Sequence, residues 1–338
     1  MRKIKVGIAG IGRLGKTHAH NLAYRIPNAE LAAACSIVES ELDYARAELN
    51  IKQCYGDFNA MVKEADIEAV AIVSSSGEHC WQIEAALAAG LHVYTEKPLG
   101  ITIEQCLNAK SVVDAHPDKI FMIGFQRRYD PSYAYAKQKI DEGLIGKPYY
   151  VRATSIDPEK SIEVAIKYGA TGGGIFLDMA IHDIDLARWY LGSEPEEIHA
   201  IGGCFLHEEF AQYRDADNAC TLIKFKNGAM ATLYSGRDGM HGYHVEMEIA
   251  GTKGTLRIGA VPQKNLVMAF NEHGAVTECV PYFPERFAEA YLLEMQAFID
   301  CIEQDRKPGV TVDDGLKNTQ IAAAATQSFR TGQVVCLD

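Results

Sequence analysis

The sequence has few basic residues for its acidic content, and this imbalance excludes whole classes of partner. Its 338 residues include 33 Lys and Arg against 45 Asp and Glu, which gives a formal net charge of −12. Binding to the phosphates of a nucleic acid requires basic patches, and an anionic lipid surface repels a chain of this charge. We therefore expect neither a nucleic-acid partner nor a membrane partner.

Paired cysteines and long apolar runs are also missing. None of the nine cysteines forms a C-x-x-C pair, so neither a disulfide framework nor a zinc or other metal site is indicated. Every apolar run falls short of the ~20 residues that span a bilayer, and the first residues enter a strand pattern without a signal-peptide core. Scattered thiols are typical of a reducing compartment, and we expect a cytoplasmic protein.

The order of apolar and helical patterns divides this long chain into two parts. Through residue 124, short apolar runs alternate with helical patterns, which is typical of a parallel sheet with crossover helices. From residue 125, strand-like runs follow one another with tight-turn signals such as Lys226-Asn227-Gly228, which is typical of an antiparallel sheet. We predict an α/β fold with a Rossmann domain at 1–124 and an α+β domain at 125–338. Three helical stretches should cover one face of the second sheet: 176–190, 287–303 and 313–329.

A glycine-rich motif follows the first predicted strand, Ile4 to Ile8. Gly10-Ile11-Gly12-Arg13-Leu14-Gly15 matches G-x-G-x-x-G at the strand-to-helix turn of the first βαβ unit. Glycines here permit a tight turn, close approach of backbone amides to a pyrophosphate, and close packing of the helix on the strand. The same string is found in plain tight turns, but its position in this unit favours a dinucleotide site.

The second strand lacks the acidic residue that an NAD enzyme places at its end. The sequence there is Ala34-Cys35-Ser36-Ile37, and Glu39 lies a little beyond it. An acid at this point binds the adenine ribose of NAD, whereas a nearby arginine accommodates the 2′-phosphate of NADP. Arg13 could meet that phosphate or lie along the pyrophosphate. The residues alone therefore leave both NAD and NADP open.

A lysine lies between a strand end and a proline, in Thr95-Glu96-Lys97-Pro98. The proline restricts the backbone of Lys97 to extended conformations. Open α/β sheets bind ligands at the carboxyl ends of their strands, and an ammonium there would hydrogen-bond a reacting oxygen and lower its pKa. An exposed loop lysine explains the tetrapeptide by itself more simply, so this interpretation depends on the rest of the chain.

A second cluster of polar residues follows the glycines 172–174. If residues 176–190 are helical, Asp178 and His182 share one face, with Asp185 a turn further on. A histidine oriented by a carboxylate is a suitable general base for an alcohol proton. A His–Asp pair on a helix surface has the same spacing, but the glycine run permits close approach of the backbone to a ligand and favours a functional site.

These motifs together resemble the glucose–fructose oxidoreductase and inositol dehydrogenase family, nearly end to end. The resemblance rests on the glycine motif, on Glu96-Lys97-Pro98, on residues 124–130 and on the spacing of Asp178 and His182. Gly242-Tyr243-His244 and residues 286–291 are most similar to the inositol dehydrogenases. The resemblance implies a Rossmann domain and a second domain with a large, open-faced, mostly antiparallel sheet that binds substrate and forms an oligomer, often a tetramer. It also implies NAD-linked oxidation of an inositol hydroxyl to a ketone.

The resemblance implies a set of site residues as well. His182 would take the hydroxyl proton, Asp178 would orient the histidine, and Lys97 would polarise the oxygen. The implied cofactor-binding residues are Gly10, Gly12, Arg13, Leu14, Gly15, Ser36, Ser74, Ser75, His79, Glu96 and Lys97. The implied substrate-binding residues are Lys97, Gln126, Arg127, Ser155, Asp157, Asp178, Met179, His182 and Tyr243.

Gln126 and Ser155 differ from the side chains expected in a myo-inositol enzyme, so we favour scyllo-inositol, with NAD as cofactor and a role in polyol catabolism. Discrimination between isomers depends on which polar groups are left unpaired by the wrong one. An NADP-linked sugar or dihydrodiol dehydrogenase on the same fold is the first alternative. A dinucleotide-sensing regulator is the second, although it should have lost Lys97 or His182. A metal-dependent hydrolase is weaker, because ligands from one helix do not close a coordination sphere.

Overall fold

The chain forms two compact units. The computed structural model describes residues 2–169, 171–259, 262–272 and 274–337. The first unit contains the residues up to Asp130 together with Ala288–Thr319, and the second contains Pro131–Phe287 and the residues from Gln320 onward. Residues 288–319 thus return to the first unit, whereas the sequence-based division at residue 125 assigns them to the second.

The first unit is built on a six-stranded parallel sheet. Its strands are β1 (Ile4–Ala9), β2 (Ala29–Cys35), β3 (Gln53–Tyr55), β4 (Ala69–Ile72), β5 (His92–Glu96) and β6 (Phe121–Gly124). They lie in the order β3-β2-β1-β4-β5-β6, with all neighbours parallel. This is the strand order of a Rossmann fold, in which ligands bind at the carboxyl ends of the strands near the point where the order reverses, here between β1 and β4.

Helices alternate with these strands, as the sequence pattern predicts. They are α1 (Arg13–His20), α2 (Glu39–Glu48), α3 (Phe58–Glu64), α4 (His79–Ala88) and α5 (Ile103–Asp114). Local caps fix where some of them begin. Asp57 accepts a hydrogen bond from the backbone N–H of Ala60 at the start of α3 (2.8 Å), and Thr102 and Gln105 form a reciprocal capping box at the start of α5.

The second unit is built on a seven-stranded mixed sheet with one small hairpin beside it. Its strands are β7 (Pro148–Pro158), β8 (Pro195–Gly203), β9 (Asn218–Phe225), β10 (Met230–Gly239), β11 (His244–Gly251), β12 (Gly254–Ile258), β13 (Gln263–Asn271), β14 (Gly274–Cys279) and β15 (Val335–Cys336). The sheet has the order β12-β11-β7-β10-β9-β8-β15, and β13 pairs with β14 separately. Neighbouring strands in this sheet are antiparallel, except that β7 and β10 are parallel to each other. The mostly antiparallel second sheet is therefore confirmed.

The remaining helices are α6 (Pro131–Asp141), α7 (Ile162–Gly169), α8 (Ile181–Leu191), α9 (Phe283–Arg286), α10 (Ala288–Glu303) and α11 (Val312–Thr331). Helix α8 packs on β7 of the second sheet. The end of α11 also lies in the second unit, where Ser328 accepts a hydrogen bond from the backbone N–H of Ala200 (2.9 Å). Among the helices of the described ranges, none is both long and apolar enough to cross a membrane.

The expected packing of residues 287–303 on the second sheet is wrong. Helix α10 buries Met295, Phe298 and Ile299 in the same core cluster as Val6 and Ile8 of β1. An amphipathic helix buries its apolar face against whichever sheet the chain brings it to, and the sequence pattern alone does not identify that sheet.

Candidate active site

The glycine motif lies where β1 ends and α1 begins, and the backbone requires its first and last glycines. Gly10 has a φ of +85°, and a Cβ on it would lie 2.6 Å from the carbonyl oxygen of Val73. A Cβ on Gly15 would collide with the carbonyl oxygen of Gly10. A Cβ on Gly12 would lie 3.6 Å from Glu41 Oε1, an ordinary van der Waals contact, so the Glu41 carboxylate lies beside this glycine. The motif therefore fits a pyrophosphate at the start of α1.

An acidic side chain from α2, Glu41, lies near the end of β2. Glu41 Oε2 accepts a hydrogen bond from the hydroxyl of Ser36 (2.6 Å) and another from the backbone N–H of Ile11 (3.1 Å). Ser36 directly follows β2, so this predicted cofactor residue lies beside a carboxylate. A search for an acid at the strand end misses Glu41, because its side chain reaches back from the first turn of the next helix.

Lys97 follows β5 beside a buried polar cluster. Glu96 is only 5% exposed, and its Oε1 lies 2.8 Å from His18 Nε2 and accepts a hydrogen bond from the hydroxyl of Tyr94 (3.0 Å). The second oxygen of Glu96 accepts the backbone N–H of Lys97 (3.1 Å). The Tyr94 hydroxyl also lies 2.8 Å from Glu294 Oε2, which joins α10 to the cluster. Glu96 thus connects the backbone of Lys97 to two helices and the sheet.

The electrostatics of this cluster favour an ionised Glu96. Burial raises the pKa of Glu96, but the hydrogen bond and charge of His18, the charge of Lys97 and the Tyr94 hydroxyl together hold the pKa below its ordinary value. Burial raises the pKa of Tyr94 well above its ordinary value, and the two neighbouring carboxyl groups act in the same direction. His18, Glu96 and Glu294 have ligand atoms within 4.8 Å of one another, which is close enough for a metal ion. Tyr94 has one hydroxyl proton, and its oxygen lies within hydrogen-bond distance of both Glu96 and Glu294.

His79 connects the loop after β4 to the Lys97–Pro98 turn. It is 1% exposed, with Nδ1 2.8 Å from the carbonyl oxygen of Pro98 and Nε2 3.2 Å from that of Ser74. Burial lowers the pKa of His79, although the two carbonyl groups oppose this. The hydroxyl of Ser74 donates to Gln82 (2.6 Å), and Ser75 is exposed at the same strand end. These predicted cofactor residues lie at the carboxyl edge of the sheet, with His79 supporting the loop from inside.

Gln126 and Arg127 lie in the first unit, in a 3₁₀ turn that directly follows β6. Both side chains are buried. Strand β6 ends at the same level of the sheet as β5, because Gly124 of β6 pairs with Glu96 of β5. Strands β1, β2, β4, β5 and β6 therefore each bring predicted site residues to one edge of the sheet.

In the second unit, Asp178 lies in a π-helical turn, Phe176–Ala180, and His182 lies in α8, which follows it. The sequence predicts a regular helix here, whereas the structure has one wider turn, a feature frequent at functional sites. Asp178 Oδ2 accepts a hydrogen bond from the guanidinium of Arg237 (3.2 Å), which is 3% exposed. The pair balances a buried positive charge with a carboxylate that is partly open to solvent.

Sequence reasoning missed Arg237 and Asp215. Arg237 lies on β10, and its guanidinium carbon is 5.2 Å from the centre of the Phe210 ring. Asp215 accepts the backbone N–H of Ile175 just before the π-helical turn (3.0 Å), and burial raises its pKa. A detectable signal was the alternation along β10, where an arginine continues the inward-facing row of Ala231, Leu233 and Ser235.

The other predicted substrate residues lie on three different segments of the second unit. The buried hydroxyl of Ser155 on β7 donates to Asp183 on α8 (2.6 Å), so it connects that helix to the sheet. Asp157 lies two residues further along β7, and Met179 is buried in the π-helical turn. Tyr243, just before β11, packs edge-on against Phe287 (ring centres 6.2 Å apart). Ser155 thus contacts α8. Asp157 lies on β7, Met179 lies in the π-helical turn, and Tyr243 lies just before β11.

Two family models match this chain and together cover most of it. Residues 4–125 match the family described as "Oxidoreductase family, NAD-binding Rossmann fold", and residues 137–337 match "Oxidoreductase family, C-terminal alpha/beta domain". The chain therefore belongs to the GFO/IDH/MocA oxidoreductase family. The expected family, the α/β fold class and the NAD-linked oxidoreductase class are confirmed.

Individual relatives match this chain over its whole length. It is 34% identical over 336 residues to the scyllo-inositol 2-dehydrogenase (NAD(+)) of Bacillus subtilis, covering 99% of this chain and 97% of that protein. The crystal structure of scyllo-inositol dehydrogenase from Lactobacillus casei with bound NAD(H) and scyllo-inositol is similar with a TM-score of 0.96 and 45% identity, covering 99% of each chain. The structure of myo-inositol 2-dehydrogenase from Lactobacillus plantarum is similar with a TM-score of 0.97 and 37% identity, covering 100% of each chain.

The buried position of His79 predicts a pH-dependent stability. Because burial lowers its pKa, the folded state binds fewer protons than the unfolded state, and stability should fall as the pH drops through the ordinary histidine value of about 6.5. The His79→Gln variant keeps an amide donor for Pro98 but does not titrate. We expect it to lose less unfolding free energy than the wild type between about pH 7.5 and about pH 5.5, measured by urea denaturation.

His20→Gln, on the exposed side of α1, is the matched control and should keep the wild-type pH dependence. Glu96 and Lys97, whose charges act on His79 in opposite directions, are unchanged in both variants. Equal pH dependence in His79→Gln and the wild type would show that His79 is not a source of the effect.

Proposed function

We propose that the protein oxidises one ring hydroxyl of an inositol to a ketone with NAD, and that scyllo-inositol is its preferred substrate. The observation that carries this proposal is Lys97, held at the carboxyl edge of an NAD-binding sheet by the buried Glu96. An ammonium at this edge suits an alcohol oxygen that develops negative charge. Relatives that match the whole chain include inositol dehydrogenases, and one of their structures contains both NAD(H) and scyllo-inositol.

Oxidation of a secondary alcohol removes a proton from oxygen and a hydride from carbon. NAD, when bound, supplies the hydride acceptor. His182 takes the hydroxyl proton as general base. Asp178 orients His182, and the buried guanidinium of Arg237 holds Asp178 in place. Lys97 donates a hydrogen bond to the same substrate oxygen and stabilises the charge that develops on it.

We assign the two units different tasks. The first binds the cofactor through the glycine motif with Arg13 and Leu14, through Ser36, and through the edge formed by Ser74, Ser75, His79, Glu96 and Lys97. Gln126 and Arg127, which follow β6, are assigned to substrate binding. In the second unit, the same task is assigned to Ser155, Asp157, Asp178, Met179, His182 and Tyr243. What supports this assignment is that the first group collects at the ligand-binding edge of a Rossmann sheet.

We also propose that the second unit forms a homotetramer. Leu266, Val267 and Phe270 on β13 are 98%, 68% and 79% exposed. A two-stranded hairpin is marginal in water by itself, and an apolar patch of this kind marks an interaction site. The outer face of the main sheet also exposes Ile201 and Leu222. A second copy of the chain is the expected cover.

The cellular setting is part of the same proposal. The nine cysteines are free thiols, which favours a reducing compartment, and we place the enzyme in the cytoplasm. An oxidation of this kind would there serve the catabolism of a polyol.

Substrate and cofactor preference can be tested by initial rates with NAD and NADP, each against scyllo-inositol, myo-inositol and glucose. We expect the highest kcat/KM with NAD and scyllo-inositol, and a loss of about tenfold or more with the other isomer. The reason is that each polar group left unpaired in the site costs about 1–3 kcal/mol. Turnover confined to NADP with glucose would contradict the proposal in favour of the NADP-linked alternative.

The proton-transfer roles predict a separation of chemistry from cofactor binding. His182→Ala should lower kcat by about 10²–10⁴-fold, because it removes the general base, while leaving the Kd of NADH within about twofold. Lys97→Ala should also lower kcat strongly. NADH fluorescence titration gives the Kd. His116→Ala, just beyond the end of α5, is the control that should keep wild-type rates. Near-normal turnover in His182→Ala would show that another group is the base.

The tetramer predicts that charges placed on the hairpin weaken assembly. Leu266→Glu and Phe270→Glu should lower the mass measured by light scattering after size-exclusion chromatography, because a carboxylate would be buried without a partner. Glu278→Gln, on the same hairpin, should keep the wild-type mass. An unchanged mass in both glutamate variants would exclude the hairpin from the interface.

A further inference from the structure

An acidic side chain lies beside the glycine motif although no acid ends β2. Glu41 belongs to the first turn of α2, which begins after the extended residue Val38 (φ −105°, ψ 111°). The hydroxyl of Ser36 accepts the backbone N–H of Val38 (3.0 Å) and donates to Glu41 Oε2 (2.6 Å). Ser36 therefore fixes the turn between β2 and α2 and the carboxylate at the same time.

The two oxygens of Glu41 have different surroundings. Oε2 is held by Ser36 and by the backbone N–H of Ile11, the second residue of the glycine motif (3.1 Å). Oε1 is the atom nearest to a Cβ built on Gly12, at 3.6 Å, and so lies beside the second glycine of the motif. Glu41 is neither fully buried nor fully exposed. One oxygen thus anchors the side chain, and the other lies beside Gly12, the glycine that lets the backbone approach a pyrophosphate.

The residues after Ser36 offer an apolar surface that fits the base of a dinucleotide. Ile37 is 93% exposed and Val38 is 45% exposed, although both are apolar. They follow the carboxyl end of β2, and an apolar surface there can pack against the flat face of a purine.

We propose that Glu41 binds the adenine ribose of NAD and is the residue that selects NAD over NADP. An anchored carboxylate accepts hydrogen bonds from the two ribose hydroxyls, and it repels a phosphate dianion at the 2′ position. Arg13, exposed at the start of α1, is a cation that a 2′-phosphate could use, but Glu41 makes the 2′ position unfavourable for that anion. The inference rests on the proposed function only in taking NAD as cofactor.

The test measures binding of NAD⁺ and NADP⁺ to the full chain by isothermal titration calorimetry, without substrate. We expect the wild type to bind NAD⁺ at least about tenfold more tightly than NADP⁺, and Glu41→Gln to reduce that ratio about tenfold, because it removes the charge. Glutamine keeps an oxygen that can accept the hydrogen bonds of Ser36 and Ile11. The variant should therefore fold like the wild type.

A ligand that lacks the 2′-hydroxyl separates recognition from support of the loop. The wild type should bind NAD⁺ more tightly than its 2′-deoxyadenosine analogue, whereas Glu41→Ala should bind both equally, since the interaction is already lost. If Glu41 only supports the glycine motif, both variants lose affinity for NAD⁺ and NADP⁺ by one common factor. The analogue then still binds more weakly to Glu41→Ala, and the proposal is overturned.

The control is Glu39→Gln, which makes the same change of charge on the same helix. Glu39 lies at the start of α2, is highly exposed and pairs with Arg46. Glu39→Gln should keep the wild-type ratio of the NADP⁺ and NAD⁺ dissociation constants. If Glu39→Gln and Glu41→Gln change this ratio equally, the effect of Glu41 comes from the net charge of the protein and the proposal is overturned. Because no inositol is present, failure of the substrate assignment cannot produce any of these results.

Discussion

The buried carboxylate of Glu96 is the charge on which the arrangement of the first unit's site depends. A carboxylate stays ionised away from water only when donors and positive charges surround it. Here they come from His18 on α1, from Tyr94 on β5 and from Lys97 in the following turn. Tyr94 further contacts Glu294 on α10. The position of the Lys97 backbone therefore depends on how two helices pack on the sheet, and not on its own loop alone.

In the second unit the signs are reversed: the buried charge is positive and the partly exposed group is negative. Arg237 is buried on β10, and the partly exposed Asp178 pairs with it. In each unit, a buried charge supports a group of opposite sign that retains access to solvent. Lys97 and Asp178 are thus held without either of them being an isolated charge in the interior, which would be costly. Such support fixes the positions of the supported groups, because the supporting side chains are locked by packing.

Short-range patterns in the sequence were sufficient for the two sheets and for the position of the glycine motif, because each depends on neighbouring residues. The features that escaped prediction depend on distant ones. The amphipathic pattern of α10 shows that Phe298 is buried but does not show on which sheet. The spacing of Asp178 and His182 is the same in a regular helix and in one with a π-helical turn. Glu41 replaces a strand-end acid from a helix, and only the folded chain brings its side chain to the motif.

The return of α10 to the first unit has a consequence for the order in which the protein can fold. A ribosome releases the chain from its N-terminus, so β7 to β14 emerge before Met295, Phe298 and Ile299 do. Until then, the nascent Rossmann sheet lacks part of its own core. Domains generally fold as units during synthesis, but this one completes its core only after most of the second unit has been made. A gene fragment that encodes residues 1–124 would therefore encode a domain without part of its core. The first unit needs residues that follow most of the second unit in the chain.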